Sequence, residues 1–119
     1  MEKNTQTLFA TVLGAVLLLV GIVGFINNPV LGLFPVNNLH NAVHLLSGAV
    51  LLWAGIWGGT KIAKNVNIGL GVVYLLVAIL GFIAPSLVLS LLEIDMMDNV
   101  LHVLIAVASL GVGLGVKSA

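Results

Sequence analysis

Residues 8–26, LFATVLGAVLLLVGIVGFI, run from Leu8 to Ile26 without one charged side chain. Crossing about 30 Å of hydrocarbon takes about 20 apolar residues in a helix, and this stretch has that length and character. Its glycines and β-branched residues do not make it a strand, because the run is far longer than a strand and does not alternate. Inside lipid every backbone N–H and C=O must be satisfied within its own segment, which is a second reason to read helix. Met1-Glu2-Lys3 gives the charged start of a signal peptide. The apolar run is too long for one, and no small-x-small cleavage site follows, so the segment reads as a retained span.

Three more segments meet the same requirement. Leu39 to Trp57 ends at Gly58-Gly59-Thr60-Lys61, Val66 to Ala84 stops at Pro85, and Val100 to Val116 stops at Lys117. Residues 1–119 therefore read as one all-α transmembrane domain, a polytopic four-transmembrane-helix bundle. Composition agrees: 61% of residues are hydrophobic, 7% are charged, and the mean hydropathy is +1.26. A water-soluble domain carries about 25% charged residues to cover its surface, so a soluble globule is excluded. Four Lys and no Arg exclude a nucleic-acid binder, which needs a concentrated basic surface. The absence of Cys removes disulfides, thiolate metal sites and cysteine nucleophiles.

The few charges are sorted by side. Lys3 precedes span one, Lys61 and Lys64 lie between spans two and three, and Lys117 follows span four; Glu93, Asp95 and Asp98 all fall between spans three and four. The positive-inside rule then places both termini and the middle loop in the cytoplasm. The loops Asn27–Asn38 and Pro85–Asn99 face outward. Both are apolar for connectors, with Val30, Leu31, Leu33 and Phe34 in the first and Leu87 to Leu92 in the second. They are expected in the membrane interface, the second as a short amphipathic helix opened by Pro85.

A period links the two halves. Leu13–Ile26 (LGAVLLLVGIVGFI) aligns without gaps onto Leu70–Ile83 (LGVVYLLVAILGFI), matching Gly14 with Gly71 and Gly24-Phe25-Ile26 with Gly81-Phe82-Ile83. Beyond the loops the sequence pairs Asn37 with Asn99, His40 with His102 and Ser47 with Ser109. The chain reads as two helical hairpins in tandem, repeat one over 8–57 and repeat two over 66–116. Each repeat holds an even number of spans, so their pseudo-two-fold axis runs along the membrane normal. His40 and His102 then sit at equal depth, near the outer surface.

Spans associate through small and polar residues, because lipid tails are as apolar as Leu. Steps of three and four give one such stripe per span. Span one has Thr11, Gly14, Leu18 and Gly21; span two has His40, His44, Ser47, Gly48, Leu51 and Gly55. Span three has Asn67, Gly71, Tyr74 and Ala78; span four has Asp98, His102, Ala106, Ser109 and Gly113. These faces should point inward. Gly111 and Gly115 form a GxxxG pair on another face of span four, and Trp53 and Trp57 suit an interfacial aromatic belt.

One constellation is able to do chemistry. His40 and His44 are four apart and share a helix face, and His102 enters at similar depth with Asp98 one turn before it. Ionisable groups beside a span are costly and mark a functional hypothesis. In one reading these residues only cap and knit helices, with Asn38 and Asp98 as N-caps and neutral His bonding across helices. In the other, His40, His44, Asp98 and His102 hold a transition metal, since imidazole and carboxylate suit zinc, copper or iron. Axial haem ligation by His40 and His102 is a variant of it. Gly111-Val112-Gly113-Leu114-Gly115 follows no strand and has no phosphate-binding meaning. The midplane holds only Ser47, Ser109, Tyr74 and glycines, which does not suit a transport pathway.

The pattern Asn37-x-x-His40-x-x-x-His44-x-x-x-Gly48, with Asp98-Asn99-x-x-His102 in the second half, resembles a family of small bacterial four-helix integral membrane proteins known as a domain of unknown function. The Gly24-Phe25-Ile26 ending of span one and the Leu39-His40 start of span two are similar as well, and the resemblance covers nearly the whole chain. It implies a prokaryotic inner-membrane protein and carries over no activity or cofactor. The expected function is non-enzymatic: a small accessory or structural membrane protein, self-associating as a homo-oligomer or packed on a larger membrane complex. The alternative is a metal- or haem-binding membrane protein with its His/Asp cluster at the outer face.

Overall fold

A computed structural model describes residues 4–27, 37–92, 94 and 96–116 of the chain. Among these the fold is helical, with no strand: α1 (Thr5–Ile26), α2 (Asn38–Trp53), a single π-helical turn (Ala54–Gly58), α3 (Gly59–Ile83), α4 (Pro85–Leu92) and α5 (Met96–Gly115). Three helical stretches are long and apolar enough to cross a membrane: Thr5–Ile26, Asn38–Ile83 and Met96–Gly115.

The middle stretch, 46 residues, would be about 69 Å long as one straight helix. The molecule's longest dimension is 42 Å. The chain therefore turns back on itself inside this stretch, and Gly59, at φ +82°, is where it does so. That left-handed conformation is open to glycine without steric cost. The consequence is visible at the other end, where His40 and His44 of α2 line one cavity with Tyr74 and Val77 of α3.

Three expected boundaries move. The segment carrying Lys61 and Lys64 is the first part of α3, not a loop. The N-cap of α2 is Asn37, one residue before the expected Asn38, because its side chain reaches the His40 N–H at 2.8 Å. Asp98 lies within the first turn of α5 instead of preceding that helix. The short helix after Pro85 is present as α4. Lys3, Lys117, Glu93 and Asp95, and the apolar part of the first loop, lie outside the described residues.

The helices bury small and polar residues and turn large apolar ones outward. Buried are Gly14, Leu17, Gly21 and Gly24 on α1, Asn67, Gly71, Tyr74 and Ala78 on α3, and every stripe residue expected on α2 and α5. Leu17 replaces Leu18 and Thr11 is only half-buried, because the buried line steps by three at Gly14 before resuming by four. Outward-facing are Leu19, Ile26, Leu46, Trp53, Trp57, Leu104 and Leu114. In water this distribution would be unstable; beside hydrocarbon it leaves close backbone approach as the packing force.

That approach is repeated. A methyl at Gly14 would meet Leu52 N at 2.5 Å and Gly48 O at 2.8 Å, and one at Gly71 would meet Leu110 N at 3.1 Å. Gly24 lies against the Asn41 amide, and Gly81 against the Asn99 amide. Gly55 lies against Thr11, and Gly113 against Ile68. In this contact register Asn41 corresponds to Asn99 and His44 to His102, while His40 corresponds to Asp98. The glycine contacts thus place His44, not His40, in the position that matches His102, one helical turn from the pairing expected from the sequence. Apolar α2 residues align with α5 in either register; only the glycine contacts choose between them.

The end opposite the histidines is joined by polar side chains. Gln6, fully buried, donates to Val112 O at 2.7 Å and to Val116 O at 2.8 Å, at and just past the C-terminal end of α5; Val112 O also accepts the Val116 N–H at 3.1 Å. Asn67 Nδ2 donates to Gln6 O at 3.1 Å and Gln6 Oε1 at 3.0 Å. Lys64 Nζ donates to Gly113 O, and Asn4 Nδ2 to Thr60 Oγ1.

Candidate metal centre

His40 and His44 follow Asn37 on the first two turns of α2, and their ring centroids are 4.5 Å apart. His102, on the second turn of α5, brings its ring to 5.8 Å from His40 and 6.2 Å from His44. All three are buried, at 2%, 7% and 3% exposure. One ligand nitrogen from each lies within 4.8 Å of the other two. Tyr74 of α3 stacks edge-on against His102 at 5.5 Å.

The protonation of His40 follows from its partner. His40 Nδ1 lies 3.0 Å from Leu92 O. A carbonyl oxygen only accepts, so Nδ1 carries the hydrogen and neutral His40 presents a lone pair at Nε2. That Nε2 is buried without a hydrogen-bond partner, as are His44 Nδ1 and His102 Nδ1. Metal-bound His typically donates its other ring N–H to a carbonyl or carboxylate, which fixes its tautomer and orientation. His40 already has that arrangement.

The rings border a cavity of about 20 Å³, lined also by Val43, Val73, Val77, Leu92 and Ile94. A site of this size holds one water-sized occupant. Zn–N bonds of about 2.0–2.1 Å would put ligand nitrogens about 3.3 Å apart, closer than the 4.8 Å within which they now lie. Val43 and Val73 are shared with an apolar groove of about 270 Å³ between α2 and α3.

Of the four residues expected at the site, three converge and one does not. Asp98 is buried at 3% exposure one turn before His102, but its carboxylate is not among the atoms that close within 4.8 Å. Leu92 and Ile94 border the site beyond the expected residues, while Asn41 and Asn99 lie beside it in the helix contacts, against Gly24 and Gly81. Leu92 acts through its backbone carbonyl, which side-chain spacing does not reveal. Asn41 and Asn99 each sit one residue along from a stripe position, and the shared Asn-x-x-His spacing of 41–44 and 99–102 was the available signal.

No curated protein and no solved structure matches the chain. The family described as Domain of unknown function (DUF4383) matches residues 7–115, a range that takes in α1 through α5 and all three histidines. The chain belongs to that family.

Proposed function

We propose that this chain is a polytopic membrane protein of four spans, built as two tandem hairpins, that holds one transition-metal ion on His40, His44 and His102. The observation carrying the reading is three buried imidazoles that can each bring one ligand nitrogen within 4.8 Å of the other two, beside a cavity of about 20 Å³. Each ring also has one nitrogen buried without a hydrogen-bond partner, which costs free energy. The amide nitrogens of Gln6, Asn67 and Asn99 reach neighbouring carbonyls, whereas the amide oxygens of Asn67 and Asn99, like one nitrogen of each imidazole, are buried without a partner. Among these groups the imidazoles are the ones that gather around one cavity.

Imidazole donors suit zinc, copper, iron or nickel. With three neutral nitrogens the ion keeps its full charge in a dry site, and the buried carboxylate of Asp98 compensates it from the next helical turn. Haem does not suit the site, because a cavity of about 20 Å³ leaves no room for a macrocycle. The role is metal binding without catalysis, and an accessory place in a larger membrane complex is compatible with it.

Four spans are supported by the reversal at Gly59, and the tandem origin by the matched glycine contacts. With every Lys on one side, both termini lie in the cytoplasm of a prokaryotic cell and the histidines near the outer face. The test is metal analysis of protein extracted in mild detergent. One equivalent of a transition metal per chain, lost in His40→Ala and His102→Ala, supports the reading; metal-free wild-type protein that also fails to take up zinc, copper or iron overturns it.

A further inference from the structure

The end of α4 roofs the cavity, and two side chains at the start of α2 reach its last carbonyls. Helix α4 ends at Leu92, and Ile94, buried at 4% exposure, follows it over the histidines. The last carbonyls of a helix have no partner within it. Here two of them are taken by the start of α2: Asn37 Nδ2 donates to Leu91 O at 2.8 Å, and His40 Nδ1 donates to Leu92 O at 3.0 Å. The same Asn37 accepts the His40 N–H at its Oδ1, 2.8 Å away, and thereby caps α2. It fixes both the helix turn that carries His40 and the carbonyl that sets the His40 tautomer.

We propose that Asn37 is the positioning residue of the histidine centre, clamping the end of α4 over the cavity and orienting His40 for the ion. The proposal rests on the metal reading for its ligand, but the clamp itself is a contact that is tested without metal. Closure of the roof and occupancy of the site are linked: whatever loosens the Leu91 contact frees the Leu92 carbonyl, and His40 with it.

Cap and clamp separate in the variant Asn37→Asp. Aspartate caps a helix as well as asparagine does, yet it has no N–H to give Leu91. The chain contains no Cys, so Ile94→Cys supplies a unique probe of roof opening. In that background Asn37→Asp is expected to raise the maleimide labelling rate roughly tenfold, the factor that goes with one lost hydrogen bond. Stripping of the ion by chelator should accelerate about 10- to 100-fold, the usual cost of losing an outer-shell partner, while one ion per chain is still bound at saturation. Asn37→Ser, which keeps a capping oxygen without the amide, should behave alike and serves if the aspartate variant does not fold. Labelling rates that are the same with Asn37 intact and after either substitution, Asn37→Asp or Asn37→Ser, overturn the clamp. Wild-type protein that binds no metal overturns the ligand reading, and the labelling ratio then decides the clamp by itself.

Discussion

His40 and His102, carried by α2 and α5, hold their ring centroids 5.8 Å apart although 61 intervening residues separate them in the chain. With His44 they can offer a metal ion three nitrogens, one from each ring. On the metal reading, removing any one leaves two ligands, too few to hold the ion against water. Single His40→Ala, His44→Ala and His102→Ala variants are each expected to lose metal after dialysis while keeping their helical circular dichroism. Retention of a full equivalent in any of them would remove that residue from the site.

Asp98 tests the charge argument separately. Asp98→Asn keeps size and polarity and removes the compensating charge. Affinity for a divalent ion should fall by about tenfold or more, in the range of outer-shell substitutions, with stoichiometry unchanged at saturation. A competition titration with a chromogenic chelator reads this directly. Unchanged affinity would show that the carboxylate serves only the helix start.

Glycine positions predict where the hairpins break. A methyl at Gly14 meets Leu52 N at 2.5 Å and Gly48 O at 2.8 Å, both backbone atoms that do not move aside. Gly14→Ala should cost about 1–3 kcal/mol through overpacking, measured by unfolding in mixed micelles. Gly111 and Gly115 have nothing within 4 Å of an added methyl, so the same change there should leave stability level or slightly higher. A monomer stability loss at Gly111 matching that at Gly14 would contradict the packing described.

Gln6 ties the first helix to the last. Gln6→Leu removes two hydrogen bonds to α5 and leaves Asn67 without its side-chain acceptor. Interhelical hydrogen bonds in membranes contribute about 0.6 kcal/mol each and up to about 1.7, so a loss of about 1–3 kcal/mol is expected in the same assay. Metal content should not change, since Gln6 lies at the opposite end from the histidines.

The span count has its own measurement. Single cysteines at Thr5 and Ser118 should label from the cytoplasmic side, and one at Ser86 only from outside. Opposite sides for Thr5 and Ser118 would mean an odd number of crossings, and the reversal at Gly59 would then not be a turn between spans.

Local order was legible from the chain alone. The uncharged runs announced helices, Pro85 announced α4, and steps of three and four picked out the buried faces of α2, α3 and α5. The failures share a cause. Leu17 rather than Leu18 is buried, and the glycine contacts align His44 rather than His40 with His102; in each case both alternatives fit an apolar helix equally well and differ only in how two helices meet.

The sequence by itself determined that this protein is helical, that its helices are apolar enough for a membrane, and that His40, His44, Asp98 and His102 fall near the starts of two of those helices. Length, charge and periodicity are local properties, and the chain carries them whatever its tertiary arrangement. Only the tertiary structure decided which of those residues meet. Glycine backbones set the offset between helices, which brings His102 beside His40 and leaves Asp98 a turn away. The last carbonyls of α4, Leu91 and Leu92, then find their donors on Asn37 and His40. Backbone groups of this kind are the same in every residue, so no reading of side chains along the sequence identifies them.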